Sequence, residues 1–310
     1  MRLGAHMPTA GGVWKALEHG RRLGCEAIQL FVKNNMQWRG RTPSSEDVQR
    51  FAICRSELPL VPVFGHTGYL INLAAPSSPN RDRSIQSLIH EIEIATALGI
   101  PFLVMHPGAH LGAGEPAGIQ NVIGALNEVL SATRSSPVRI ALENTAGQGT
   151  SIGCSIEQLV AVFDGVGNPS RLGFCLDTAH FFAAGYDIRQ KKAWHAIVAE
   201  VQKCVGLEYV LACHLNDSKA DLGSRVDRHA GIGQGKIGRN AFRHIVNEPE
   251  FRDLPACIET PKSPDLHEDI ENLAILRSLR SRRAIPTATE KCALPVTTTK
   301  QQRQIGNNST

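Results

Sequence analysis

The sequence predicts a single parallel (β/α)₈ barrel, and three observations carry that prediction. Eight short, nearly continuous apolar runs recur along the chain, segments with apolar residues at three-to-four spacing separate them, and six of the eight runs finish in His, Asp or Glu. Parallel strands covered by helices are buried on both faces and so lose the alternation of half-exposed strands, and barrels of this kind gather their chemistry at the C-terminal strand ends. An open doubly wound sheet is the architectural rival.

The runs follow in order. RLGAH (2–6) precedes VWKALEHGRRLG, CEAIQLF (25–31) precedes SEDVQRFAICRSEL, VPVFGH (61–66) precedes SIQSLIHEIEIATALG, and PFLVMH (101–106) precedes IQNVIGALNEVLSAT. Each partner segment has helical periodicity and several stop at Gly or Pro, which end helices by supplying a left-handed cap or removing a donor. VRIALEN (138–144), LGFCLDT (172–178), YVLACHLND (209–217) and ACIET (256–260) complete the eight. At 310 residues the chain has room for one barrel of about 250 residues and a tail. We assign the barrel domain to 1–284. Residues 285–310, polar and rich in Thr, Gln and Asn without a sustained period, read as a disordered tail.

Composition narrows the class. With 42% hydrophobic and 20% charged residues the chain can bury an ordinary core. No apolar run approaches the roughly 18 residues of a membrane span, and MRLGAHMPTAGG lacks a signal peptide's apolar stretch, so the expectation is a cytoplasmic protein with no membrane partner. The eight cysteines form no C-x-x-C pair and read as reduced core thiols. The net charge of +4 arises at the C-terminus: residues 277–310 carry seven basic and one acidic residue, leaving the body at −2. If the body binds phosphates, something other than bulk Lys/Arg charge must supply the positive potential.

Gly233, Gly235 and Gly238 in GQGKIG match the dinucleotide fingerprint letter for letter. The fingerprint works only at the turn between a first strand and its helix, and this loop lies far along the chain, so no nucleotide cofactor is expected.

The strand ends carry the chemistry. His66, His106, Glu143, Asp177, His214 and Glu259 close runs three to eight, His180 follows Asp177 by three, and Asp227 and His229 lie in the loop after run seven. Singly, each reads as a hydrogen-bonded core residue or a helix cap. Together, converging carboxylates at a barrel mouth repel unless cations lie between them. At about four ligands per zinc, the set implies a cluster of two or three ions, zinc or in part manganese, a centre suited to phosphoester hydrolysis. Divalent ions there would also supply the missing positive potential. His6 and His110 are candidates for outer donors to the ligands.

HTGYLINL (66–73), HPGAH (106–110), ENTAGQG (143–149), DTAHFFAAGYD (177–187), HLNDSK (214–219), GSRVDRHAGIGQGKIG (223–238) and IET (258–260) together resemble the endonuclease IV family of abasic-site repair nucleases, over about residues 1–280. The resemblance implies a (β/α)₈ barrel with three zinc ions that cleaves the phosphodiester 5′ to an abasic site, leaving a 3′-hydroxyl and a 5′-deoxyribose phosphate, and that trims blocked 3′ ends. It implies His66, His106 and Glu143 on one zinc, Glu143 bridging to a second held by Asp177, His214 and Glu259, and His180, Asp227 and His229 on the third. Glu143 would also position the attacking water, making it the catalytic residue. The partner implied is duplex DNA with abasic sites or blocked 3′ ends, bound by a monomer. Tyr69 and Leu70 match positions that press into the bent duplex, and KNNMQW (33–38) matches a second DNA loop. Arg225 and Arg228 would steady the loop or the DNA backbone. Two positions depart from the family: Met36 stands where many members have arginine, and Pro8 where serine is common. Two other readings remain open, a fold-retaining damage-binding protein with weak incision and a metal-dependent sugar isomerase of the same architecture.

Overall fold

In the computed structural model, which describes residues 1–281, all eight apolar runs are strands. Seven of them, β1 (Arg2–Met7), β2 (Ala27–Phe31), β3 (Val63–His66), β4 (Phe102–Met105), β5 (Arg139–Glu143), β6 (Leu172–Asp177) and β7 (Val210–His214), pair in parallel in chain order. A two-stranded antiparallel ribbon, β8 (Asp217–Ser218) and β9 (His229–Ala230), then interrupts the pattern, and β10 (Pro255–Ile258) closes the barrel between β7 and β1. The open sheet is thereby excluded. The tail expected at 285–310 lies outside the described residues.

Helices α1 (Trp14–Arg22), α2 (Ser45–Ser56), α3 (Pro79–Leu98), α4 (Glu115–Ala132), α5 (Ile156–Gly165), α6 (Thr178–Ala184), α7 (Lys191–Cys204), α8 (Arg239–Ile245) and α9 (His267–Leu279) cover the sheet. Their ends follow local chemistry. Ser44 and Asp47 form a reciprocal capping box, Ser78 caps α3 with Pro79 in its first turn, and Gly99 ends α3 at φ 67°. The cap at Ser78 starts α3 five residues before the apolar period becomes visible at Ser84, because the first turn, Asn80 to Arg83, is polar.

Two apolar layers result. One lies between sheet and helices; the other, inside the barrel, comprises Ala27, Phe64, Phe102, Val104, Ala141, Cys175, Ala212 and Cys257. Phe64 and Phe102 stack there with centroids 4.8 Å apart. Cys25, Cys175, Cys213 and Cys257 are buried free thiols as expected, but Cys54 and Cys154 are only half-buried and Cys204, at the end of α7, is exposed. No helix among the described residues is long and apolar enough to cross a membrane.

A buried ion pair ties two loops above this core. Lys33 Nζ lies 3.0 Å from Glu91 Oε1 with both side chains almost wholly buried. Glu91 also accepts from the Gly68 N–H at 3.3 and 3.2 Å, while Lys33 donates to the carbonyls of Asn34 and Gln37. Burial pushes the Glu91 carboxyl above its ordinary range despite the opposing pull of Lys33, a sign of a costly desolvation. Removing one member of such a pair strands the other charge. Lys33→Met should therefore destabilise the fold by about 3–5 kcal/mol in urea unfolding. Adding Glu91→Gln, which keeps an acceptor for Gly68, should recover at least half of that loss; no recovery in the double variant would refute the account.

Candidate metal centre

Side chains two residues apart on a strand share a face, so the apolar layer inside the barrel dictates what stands above it. Two positions on from Phe64, Val104, Ala141, Cys175, Ala212 and Cys257 come His66, His106, Glu143, Asp177, His214 and Glu259. The same parity on β2 gives Gln29 after Ala27, and on β1 it gives His6 after Gly4. All eight barrel strands thus contribute one polar residue to a ring at the C-terminal end.

Glu143 is the hub. Its fully buried carboxylate lies 2.8 Å from His214 Nδ1, 3.1 Å from His106 Nε2, 3.2 Å from His66 Nε2 and 3.3 Å from His180 Nδ1. Burial alone would raise its pKa, yet His214, His106 and the other imidazoles hold it well below the carboxylate range. At His214 burial opposes the charged form, but Glu259 and Glu143 outweigh it and push the pKa up to about 9. His229 is likewise raised to about 8, chiefly by Asp227 against burial. His6 is lowered to about 4 by burial and stays neutral beside Glu259, 3.5 Å away.

The nine residues singled out as ligands come together. His66, His106 and Glu143 bring ligand atoms within 4.8 Å of one another, as do Glu143, Asp177, His214 and Glu259. The third group is Asp177, His180 and His229, with Asp227 against both rings at 3.2 Å from His180 Nε2 and 3.3 Å from His229 Nε2. Asp177 is therefore a neighbour of the third group as well as the second. Asp177 also accepts the His180 N–H at 2.7 Å, capping α6 and fixing that ring's backbone.

The hydrogen bonds outside the ring set which nitrogen faces in. His66 Nδ1 lies 2.8 Å from Thr67 O, His180 Nδ1 2.8 Å from Asn144 O, and His229 Nδ1 3.3 Å from Glu259 O. A carbonyl can only accept, so Nδ1 carries a proton and Nε2 is the nitrogen that faces inward. His214 is the mirror case: Nε2 donates to Gln29 Oε1 at 2.7 Å and Nδ1 faces Glu143. The Nε2 atoms of His180 and His229 are buried and meet the Asp227 carboxylate at 3.2 and 3.3 Å. Imidazole nitrogens facing inward among four carboxylates, with the outer N–H groups satisfied, suit a cation that takes the place of their inner protons, and the set fits divalent metal.

Sequence reasoning missed three supports. Gln29 is fully buried; its Nε2 is 2.6 Å from Glu259 Oε1 and 2.8 Å from His6 Nδ1. Asn144 accepts the Asp177 N–H at 2.7 Å, and Asn216 donates to Asp177 Oδ2 at 2.6 Å while accepting the Glu259 N–H at 2.7 Å. The signal was present: a lone amide inside the apolar run AIQLF, and an Asn directly after Glu143 and one residue beyond Leu215. His110 does not reach the ligands; its Nδ1 accepts the Gly114 N–H within its own loop.

A cavity of about 640 Å³ opens over the ring. Tyr69, Arg228 and Pro8 line it, as do Lys219 and Lys262, two cations not anticipated. Tyr69 is 65% exposed and sets its ring edge-on to Phe31, 5.3 Å away, which in turn meets His66 at 5.7 Å. Leu70 is half-buried beside it, whereas Met36 stands out from the neighbouring loop at 64% exposure. Arg225 is exposed, away from that lining, with φ 55° and its N–H on Ala183 O.

The family described as a xylose isomerase-like TIM barrel matches residues 17–280. A protein of Chloroflexus aggregans named probable endonuclease 4 is 49% identical over 278 residues, covering 90% of this chain and 97% of the relative. One of Geobacter sulfurreducens with the same name is 44% identical over 290 residues, covering 94% and 98%. The crystal structure of endonuclease IV from Thermus thermophilus is similar at a TM-score of 0.78 and 35% identity, covering 90% of this chain and 98% of that one.

Gln29→Leu removes the acceptor that sets the His214 tautomer and the donor to Glu259 without touching a proposed ligand. Metal affinity, measured by competition with a chromophoric chelator, should fall about 10–100-fold. Wild-type affinity in that variant would remove Gln29 from the support of the centre.

Proposed function

The chain belongs to the endonuclease IV family, and from that premise we propose that it is a zinc-dependent endonuclease that hydrolyses the phosphodiester 5′ to abasic sites in duplex DNA. The products are a 3′-hydroxyl and a 5′-deoxyribose phosphate, blocked 3′ ends are trimmed by the same chemistry, and a single chain acts alone. The observation that supports the reading is the ring of imidazoles around the buried Glu143 carboxylate, with Asp227 between the Nε2 atoms of His180 and His229.

In this reading His66, His106 and Glu143 would hold one zinc, Glu143, Asp177, His214 and Glu259 a second, and His180, Asp227 and His229 a third. When bound, the ions make water available as a nucleophile near neutral pH and stabilise charge on the attacked phosphate. The chain does the positioning. Glu143 orients the attacking water at the hub, and Gln29, Asn144 and Asn216 hold the surrounding ligands. Lys219 and Arg228 place cationic groups around the cavity where a phosphate would enter, while Lys262 is held by Asp269 at 2.9 Å and the His6 carbonyl at 2.7 Å. In this reading Tyr69 and Leu70 would press against unstacked bases beside the lesion.

A duplex with one abasic site should be nicked by the zinc-loaded protein, lose nicking with chelator and regain it on adding zinc. Glu143→Gln should lower kcat/KM by at least about 10²-fold while leaving duplex affinity nearly intact. Tight binding by the zinc-loaded wild type without any cleavage would overturn the reading in favour of a damage-binding protein.

Methionine can wedge but cannot pair with a phosphate. Met36→Arg should therefore tighten binding to abasic duplex and steepen its dependence on salt, with kcat little changed. Equal affinities across several salt concentrations would show that this side chain does not face the DNA.

A further inference from the structure

The glycine segment that imitates a phosphate loop does enclose an anion, and the anion is the protein's own. The N–H groups of Gly233 and Gly235 donate to Asp217 Oδ2 at 2.9 and 3.1 Å, Ile237 donates to Oδ1 at 3.0 Å, and Gly238 reaches both oxygens at 3.4 and 3.3 Å. The Ser218 N–H adds a contact to Oδ1 at 2.8 Å. The carboxylate is fully buried, and all these partners are main-chain N–H groups. Successive N–H groups pointing into one concavity form the arrangement that elsewhere receives phosphate. A Cβ at position 235 would lie 2.4 Å from Asp217 Oδ1 and 2.4 Å from Ser218 O, so only glycine permits the approach.

The same short segment anchors the loop that carries two proposed ligands. Asp217 pairs with Ala230 and Ser218 with His229. The Lys219 N–H reaches Arg228 O at 2.9 Å, and the Lys236 N–H reaches Ser218 O at 2.7 Å. Residues 219–228 thus form an excursion whose returning arm bears Asp227 and His229, and the glycine loop locks that arm against β8. His180 is held on α6 by the Asp177 cap, and the excursion is tied to the same helix by the Gly223 N–H on Phe182 O at 3.1 Å and the Arg225 N–H on Ala183 O at 2.9 Å.

We propose that Asp217 is a positioning residue, an internal anion that closes the glycine loop and so sets Asp227 and His229 against His180. Without the carboxylate, the loop's N–H groups face a buried space with no acceptor, and the arm is released. The other two ligand groups stand on strand ends and do not depend on this loop. The metal part of the proposal rests on the three-ion reading above; the loop-closing part does not.

The test compares wild type, Asp217→Ala, Asp217→Asn and Gly235→Ala. Zinc per chain is measured after dialysis, and amide hydrogen exchange of Gly233 to Gly238 is measured in metal-free protein. In all three variants we expect loss of one ion of three, the affected site weakened about 10–100-fold, together with faster exchange in the loop. Sodium formate should restore slow exchange and the third ion in Asp217→Ala alone, because only there is the N–H cradle vacant. Gly235→Ala, which leaves the charge intact and displaces the loop, guards against a variant at 217 that fails to fold. Wild-type exchange in Asp217→Ala, failure of formate to restore it, or loss of all three ions together would each overturn the proposal. A wild type holding fewer than three ions would count against the metal reading alone, and exchange in the metal-free protein would then decide the role of Asp217.

Discussion

Mutual repulsion among four carboxylates at one end of a barrel is the constraint on which the rest of the site depends. Glu143 and Asp177 are fully buried, Glu259 largely so and Asp227 half-buried. Gathering them above an apolar layer is tolerable only with positive charge between them. The raised pKa values of His214 and His229 and the depressed values of Glu143 and Glu259 express that demand. Protons on the imidazoles and divalent cations compete for the same lone pairs. The outer hydrogen bonds tip this competition towards metal, because they fix the other ring nitrogen as the donor at His66, His180, His214 and His229.

The barrel supplies this arrangement through parity. A parallel strand buried on both faces has no free choice of which residues point inward once the layer below is filled. Ala, Cys, Val and Phe fill that layer and keep water from beneath the ring, and the position two residues on is where the strand meets the cavity. His6 and Gln29 complete the circle on β1 and β2 as supports: Gln29 Nε2 lies 2.8 Å from His6 Nδ1 and 2.6 Å from Glu259 Oε1. This division places the proposed metal groups on β3 to β10 and leaves β1 and β2 to support the loops at Pro8 and Met36.

Much of this was legible in the residues. Each strand could be read because burial on both faces makes it nearly continuous in hydrophobicity, and the ligand set because six runs end in His, Asp or Glu. What escaped were groups whose meaning depends on partners distant in sequence. Gln29 gains its role from His214, 185 residues away, and Asn216 from Asp177 and Glu259. Lys219 and Lys262 are ordinary surface lysines until the loops bring them to one cavity. The glycine segment could be dismissed as a dinucleotide fingerprint from its place in the chain, but its bond to Asp217 was not legible, because Asp217 lies 16 residues before Gly233.

Recognition loops and centre are also mechanically joined, but unevenly. Tyr69 reaches the ring through Phe31 and His66, and its N–H is tied to Asn35 O at 3.1 Å. The root of both loops is clamped by Lys33 and Glu91, with Gly68 so close that a Cβ there would sit 3.1 Å from Asn35 O. A change at Tyr69 or at the clamp is therefore transmitted to His66. Met36 stands outside this chain of contacts: its recorded hydrogen bond is a local one, from its N–H to Asn34 Oδ1 at 2.9 Å. Under the proposed function, a change at this tip would alter the grip on DNA while the ring below keeps its geometry. The rigid part of the loop pair fixes where a duplex would meet the centre, and the exposed tip is where side-chain identity is free to vary.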